Sequence, residues 1–338
     1  MSKNPSENLK NTRKNQTSYT KSWKNAFMAT PGPKSILEYL YLFLKGICMG
    51  TADIVPGISG GTVAFITGIY NSFLSAISSI NSKFILKIFR LNFKDALSEF
   101  HFRFLFTLFL GIAIAIISTA NLMNYLIHEY PIQIWSFFFG LISASIFFVL
   151  QSIKNIISII PILLIGITIS FLISGLIPLN TSEEPFFIFF CGMIAISAMI
   201  LPGLSGAFIL LIFGKYEFIT SALKNPLIIE NLKIILLFCS GCIIGIISFS
   251  KLIRYSMLRW HDYTLAILTG FMIGSMRKVW PWKITLETQI IRGKEYVLRE
   301  ENIWPSFDHE LVISLLIMLF GFSMVFLLEK LTKLESTD

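Results

Sequence analysis

From residue 36 onward, apolar positions run in long blocks separated by short polar or basic connections. Uninterrupted blocks lie at 104–120, 132–150, 156–178, 232–250, 263–276 and 311–328. A helix needs about 20 residues to cross the hydrocarbon of a bilayer, so each block is predicted to be one transmembrane helix. Two further blocks, 36–70 and 186–214, are broken from within. The first holds Ala52-Asp53-Ile54-Val55-Pro56-Gly57-Ile58-Ser59-Gly60-Gly61-Thr62, the second Ala198-Met199-Ile200-Leu201-Pro202-Gly203-Leu204-Ser205-Gly206. Pro-Gly stops a helix, and the pieces on either side are too short to cross. Interrupted backbone is tolerated at membrane depth only where protein or a water-filled cavity satisfies it. Each broken block is therefore predicted to be a re-entrant helical hairpin, turning at Pro56-Gly57 or Pro202-Gly203 and returning to its own side.

Composition removes the soluble alternatives. The chain has 338 residues, 54% of them hydrophobic and 14% charged, with 32 phenylalanines; soluble proteins carry about 25% charged residues. The mean hydropathy is +0.71. The net charge of +8 resides in the tail and loops, where it reports membrane orientation and gives no reason to expect a nucleic-acid partner. Lys3, Lys10, Arg13, Lys14, Lys21, Lys24 and Lys34 precede the first hairpin, and Lys83, Lys87, Arg90, Lys94 and Arg103 follow it. Both stretches are assigned to the cytoplasm, which fits a hairpin that returns. Loops 121–131 and 179–185 lack basic residues and are assigned outside; Lys154 and the segment 251–262 are assigned inside, and 277–310 falls outside by alternation. The segment 215–233 is assigned outside although it carries Lys215, Lys224 and Lys233. Cys239 and Cys242 have CxxC spacing but lie inside an apolar block, where free cysteine is an ordinary buried residue.

The halves repeat. Gly46 and Gly192, Pro56 and Pro202, Ser59 and Ser205, and Tyr70 and Tyr216 are all 146 residues apart; Gly111 and Gly241, and Gly140 and Gly270, are 130 apart. The expected fold is an all-α polytopic membrane protein of two inverted-topology repeats, each a re-entrant helical hairpin plus three transmembrane helices. The boundaries are a polar cytoplasmic tail at 1–35, repeat 1 at 36–178 with its hairpin at 36–70, repeat 2 at 179–330 with its hairpin at 186–214, and a cytoplasmic tail at 331–338. An odd number of spans per repeat makes the second copy enter from the opposite face. Substrate sites in such folds lie at the repeat interface beside broken helices.

The run from Lys45-Gly46 through Met49-Gly50, Ala52-Asp53 and Val55-Pro56-Gly57 to Ser59-Gly60-Gly61-Thr62 resembles the signature of the bacterial polyprenyl-phosphate transporter family. Leu201-Pro202-Gly203-Leu204-Ser205-Gly206 and Gly274-Ser275-Met276-Arg277-Lys278-Val279-Trp280-Pro281-Trp282-Lys283 are similar to it as well. The resemblance covers about residues 35–330. It implies a multi-pass protein of the bacterial cytoplasmic membrane, with both termini inside, that returns undecaprenyl phosphate from the outer to the inner leaflet for cell-envelope glycan synthesis. Ala207 stands where the family pattern has Ser.

A phosphate crossing hydrocarbon has to exchange water for other donors, since an unpaired ion there costs several kcal/mol. Glycines expose backbone N–H groups, Ser adds a hydroxyl, and a half-helix starting after the turn directs its positive end at the anion. The expected phosphate clasp is Ser59, Gly60, Gly61 and Thr62 with Ser205 and Gly206, assisted by Lys45. The alternative is that these glycines only let helices pack closely. Asp53 has no acidic counterpart in the second copy, where Met199 stands, and is the candidate proton-coupling group; its other reading is a helix cap or a partner for Lys45. Arg277, Lys278 and Lys283, interleaved with Trp280 and Trp282, are candidates for capturing a headgroup at the outer leaflet or for anchoring a span. His101, His128, His261 and His309 are scattered, and no catalytic set, metal site or cofactor is expected. The partners expected are a polyprenyl phosphate and membrane lipids, with a homo-oligomer left open. A membrane polyprenyl-diphosphate phosphatase and an anion or small-solute transporter are the rival functions; Gly after Ser59 and Ser205, where a phosphatase needs a basic residue, favours transport.

Overall fold

The computed structural model describes residues 23–55, 58–153, 156–176, 181–291 and 294–335. Pro56 and Gly57, two of the four expected turn residues, lie outside them.

The same order of helices occurs twice. The first set is α2 (Ile36–Ile54), α3 (Gly60–Ile66), α4 (Tyr70–Ser78), α7 (Phe102–Glu129), α8 (Pro131–Ser152) and α9 (Ile156–Ser174); α1 (Trp23–Ala29) precedes it, and α5 (Ser82–Phe89) and α6 (Phe93–Glu99) are inserted before α7. The second set is α10 (Pro185–Ile200), α11 (Gly206–Ile212), α12 (Tyr216–Lys224), α13 (Ile229–Arg259), α14 (His261–Val279) and α15 (His309–Glu335). Between α14 and α15 stand β1 (Lys283–Ile291) and β2 (Lys294–Asn302), paired antiparallel with Lys283 opposite Asn302.

The correspondence reaches the backbone. A single residue, Tyr130, joins α7 to α8 at φ −132° and ψ 51°, and Trp260 joins α13 to α14 at φ −136° and ψ 59°. The stretches 121–131 and 251–262, read from sequence as loops, are thus almost wholly helical: mixed polar content hid helices that run on past the apolar block.

Helices pair through small residues, as expected where lipid supplies no hydrophobic drive between them. Within the first set, a Cβ at Gly46 of α2 would lie 2.4 Å from the Leu108 carbonyl oxygen of α7. Within the second, a Cβ at Gly192 of α10 would lie 2.3 Å from the Phe238 carbonyl oxygen of α13. The remaining pairs cross between sets: α8 packs on α15 and α9 on α14.

Five helices among the described residues are long and apolar enough to cross a membrane: α7, α8, α9, α13 and α15; the pair α11–α12, bent by 111°, makes a sixth if taken as one span. Ile117 on α7 is 82% exposed, a position suited to lipid and costly in water. α14 is the exception among the predicted spans. It has Asp262, Arg277 and Lys278 near its ends, while Leu265, Ala266, Leu268 and Met272 are buried in its middle, so protein encloses much of it. α13, at 31 residues, is about 46 Å long and outreaches a hydrocarbon layer of about 30 Å.

The structure is mostly helical, as expected of an all-α membrane protein, with one addition: Lys283-Ile284-Thr285-Leu286-Glu287-Thr288 alternates with period two and forms a strand. Order also extends into the stretch read as the polar tail, 1–35. α1 folds, and the segment after it is fixed by Arg103, whose Nε donates to the Thr30 carbonyl (3.2 Å) and hydroxyl (3.0 Å), with the guanidinium 5.9 Å from the Phe27 ring.

Candidate functional site

Both interrupted helices stop for the same local reason. The residue before a proline is confined to extended backbone. Val55 takes φ −82° and ψ 118° after α2, and Leu201 takes φ −71° and ψ 127° after α10. Each chain then restarts as a short helix capped by serine: Ser59 accepts from Gly61 N at 3.0 Å, and Ser205 from Phe208 N at 3.4 Å. The short helix packs against the one before it. Gly206 of α11 approaches the Ala195 carbonyl of α10, and Gly60 of α3 approaches Asp53 of α2.

The two tips meet inside the protein. The Ser59 hydroxyl donates to the Met199 carbonyl at 2.7 Å, and Gly203 N donates to the Thr62 hydroxyl at 2.9 Å. Each bond satisfies a backbone group orphaned by a helix end or turn in the opposite hairpin. Ser59 and Thr62 are 0% and 1% exposed. Contact is close enough to require glycine: a Cβ at Gly61 would stand 2.6 Å from both the Met199 and the Ile200 carbonyl oxygens. Gly203 itself has φ +89°, and its α face lies against the Phe271 carbonyl of α14.

Chemistry differs between the tips. Asp53 Oδ1 accepts from Gly60 N at 2.6 Å, so a carboxylate caps the start of α3. Charge-assisted bonds of this kind are roughly twice as strong as neutral ones. Met199, 146 positions on, presses its side chain on the equivalent Gly206. In this arrangement the Ser59 hydroxyl, Gly60 N and Gly61 N all donate within the protein. Lys45 stands two turns before Asp53 on α2 and lines a cavity near the start of that helix.

The hairpins attach to opposite ends of α13. Ser78 at the end of α4 accepts from Arg254 at 3.0 Å, whereas α12 leads directly into the first turn of α13. Lys215, before α12, donates to the Thr181 carbonyl at 2.8 Å. That joins the segment 215–233 to the segment after α9, which had been assigned to the same side.

Arg277, Lys278 and Lys283 form a second polar group, which reaches the Ser205-capped helix through Lys278. Arg277 lies 4.5 Å from the Phe171 ring of α9, and Lys283 4.0 Å from the Trp135 ring of α8. Lys278 and Lys283 share the Glu300 carboxylate at 2.8 and 3.7 Å. The Lys278 ammonium also sits 5.3 Å from the ring of Phe208 in the first turn of α11. Burial pushes the Lys283 ammonium down to about 8, against the opposing pull of Glu300. Burial works to raise the Glu300 carboxyl, but the two lysines together hold it below its usual value. Glu300 escaped the sequence reading because the acids of 295–301 look like ordinary loop charge; the period-two pattern of the strands was the available signal.

A family model described as undecaprenyl phosphate translocase-like (VCA0040-like) matches residues 49–296. The chain is 40% identical over 303 residues to a polyprenyl-phosphate transporter of Vibrio cholerae serotype O1, an alignment covering 87% of this chain and 97% of that one. It is 34% identical over 254 residues to a polyprenyl-phosphate transporter of Staphylococcus aureus, covering 70% of this chain and 85% of that one. No solved structure gives a significant match.

Proposed function

Because this multi-pass chain belongs to the undecaprenyl phosphate translocase-like family, we propose that it carries undecaprenyl phosphate from the outer to the cytoplasmic leaflet of the bacterial inner membrane, as a transporter and not an enzyme, returning the carrier to cell-envelope glycan synthesis. The observation that carries this reading is the meeting of the two Pro-Gly-x-Ser-Gly tips through Ser59 with Met199 and Thr62 with Gly203. A buried polar contact in an apolar protein, made by two copies of one motif, is where a single anion can be passed between two halves.

Under this reading the halves are inverted repeats and the hairpins re-entrant. Their attachment to opposite ends of α13 supports both. The bonds between the tips describe a closed gate. When the tips part, Ser59, Gly60, Gly61 and Thr62 face Ser205 and Gly206 across the gap, and a phosphate takes over the donors. Asp53 already offers a carboxylate to one of them. Phosphate and Asp53 compete for that N–H, which gives a reason for Asp53 to take a proton as lipid binds. Lys45 draws the headgroup toward the cytoplasmic end, and Arg277, Lys278 and Lys283 receive it at the outer end.

Leaflet-resolved transport of labelled undecaprenyl phosphate in proteoliposomes tests the proposal. Inward transfer that depends on the protein and responds to a pH gradient is expected. Absent transfer, or release of inorganic phosphate from a polyprenyl diphosphate, counts against it.

A further inference from the structure

Beside the first hairpin, a cavity of about 820 Å³ opens between the segment 31–33, the start of α2, α4 and the start of α7. Lys45, Asn71, Ser72, Ser75 and His101 line it together with Leu42, Ile69 and Phe104. Glu38 is the one acid among the described lining residues, and its oxygens accept from Lys34 N (2.9 Å) and the Ser35 hydroxyl (3.0 Å). The arrangement therefore presents a cation, an imidazole, an amide and two hydroxyls next to an apolar wall. Arg254 stands close by, bonded to Ser78 and near enough to act on His101.

We propose that this cavity is a second phosphate station, distinct from the hairpin tips, which holds the phosphate monoester of an isoprenoid lipid by Lys45, Ser72, Ser75 and His101, with its first isoprene units against Leu42 and Phe104. The proposal rests on the transport reading above and places the point of release at the end of the molecule held by the Arg103 anchor. Hydroxyl, amide and ammonium donors suit the oxygens of a phosphate dianion, and the volume lies within the usual range for small-ligand sites. Burial and the Arg254 charge hold the His101 imidazole below its ordinary value. A bound dianion works the other way, opposed by the Lys45 and Arg254 charges and aided by the already engaged Glu38, with Tyr41 the remaining titratable group in the lining.

The test uses the full chain in nanodiscs, ¹⁵N-labelled at histidine, with His101→Gln assigning the resonance. Farnesyl phosphate, farnesol and inorganic phosphate are the probes. Farnesyl phosphate is expected to shift the His101 signal and make it titrate about one pH unit higher. Ser72→Ala, on an exposed position of α4, should weaken that response about tenfold, as for loss of a bond to a charged group. Binding by calorimetry with an unmoved His101 overturns the cavity while leaving transport by the tips intact. An equal response to farnesol overturns the phosphate, and an equal response to inorganic phosphate overturns the lipid. Failure of farnesyl phosphate to bind anywhere, together with absent liposome transport, overturns the transport reading and this inference with it.

Discussion

The Ser59 hydroxyl lies 2.7 Å from the Met199 carbonyl oxygen, across 140 residues of sequence, while accepting from Gly61 N in its own helix. One side chain thus caps a helix start in one hairpin and a helix end in the other. Among the described residues, Ser205 caps its own helix alone. Ser59→Ala is therefore expected to cost about 1–3 kcal/mol, combining a lost cap with an unpaired buried carbonyl, and Ser205→Ala nearer 1 kcal/mol. Thermal unfolding in detergent ranks the two; transport should fall further for Ser59→Ala.

Gly61→Ala places a methyl group 2.6 Å from two backbone carbonyls, neither of which is a flexible side-chain end. Separation of the tips follows, with a loss of at least about 1–3 kcal/mol from overpacking. Gly68→Ala is the control. Its φ of +73° strains alanine, but nothing lies within 4 Å of the added carbon, so about 1–2 kcal/mol is expected. Crosslinking between cysteines placed on the two hairpins should drop for Gly61→Ala and persist for Gly68→Ala.

Asp53→Asn keeps an oxygen for Gly60 N and removes the charge. The protein should fold with near-normal stability, and its transport should lose dependence on a pH gradient. Asp53→Met copies the second hairpin, where Met199 covers Gly206. It should fold and fail to transport. Undiminished pH dependence in Asp53→Asn would falsify the proton role.

Lys283 titrates near 8, below its ordinary 10.5, because it is buried. Below pH 8 it is charged in both folded and unfolded chains, and the burial cost is present. Between pH 8 and 10.5 the unfolded chain binds the extra proton, so stability rises with pH by up to about 3 kcal/mol. Lys283→Met should abolish that rise in pH-resolved unfolding curves. Glu300→Gln should start it at lower pH, since it removes an anion that favours the charged lysine.

Much of this architecture was legible because its signals are local and repeated. Apolar blocks gave the long helices, Val55 before Pro56 and Leu201 before Pro202 gave the breaks, and constant offsets matched Gly46 with Gly192 and Tyr70 with Tyr216. The tips were identified, but their mutual bonding was not. Ser59 and Met199 meet only when both hairpins are folded, and no local pattern encodes that register. The β-hairpin was missed because its alternation is short and charged. Ser72 went unremarked and His101 read only as one of four scattered histidines, because the cavity they share is assembled from four separate segments.

The crossing of pairs between the two halves has a consequence for biogenesis. α8 finds its glycine-mediated partner in α15, which begins at His309, whereas α8 ends at Ser152. At ribosomal rates of about 5–20 residues per second, roughly 10–30 seconds separate the two. During that interval the Gly140 face, shaped to meet the Met318 backbone, has only lipid or the insertion machinery against it. A nascent chain stalled before residue 309 leaves α8 without its partner, so truncation near the C-terminus should be recognised by quality control as damage to the first half of the protein.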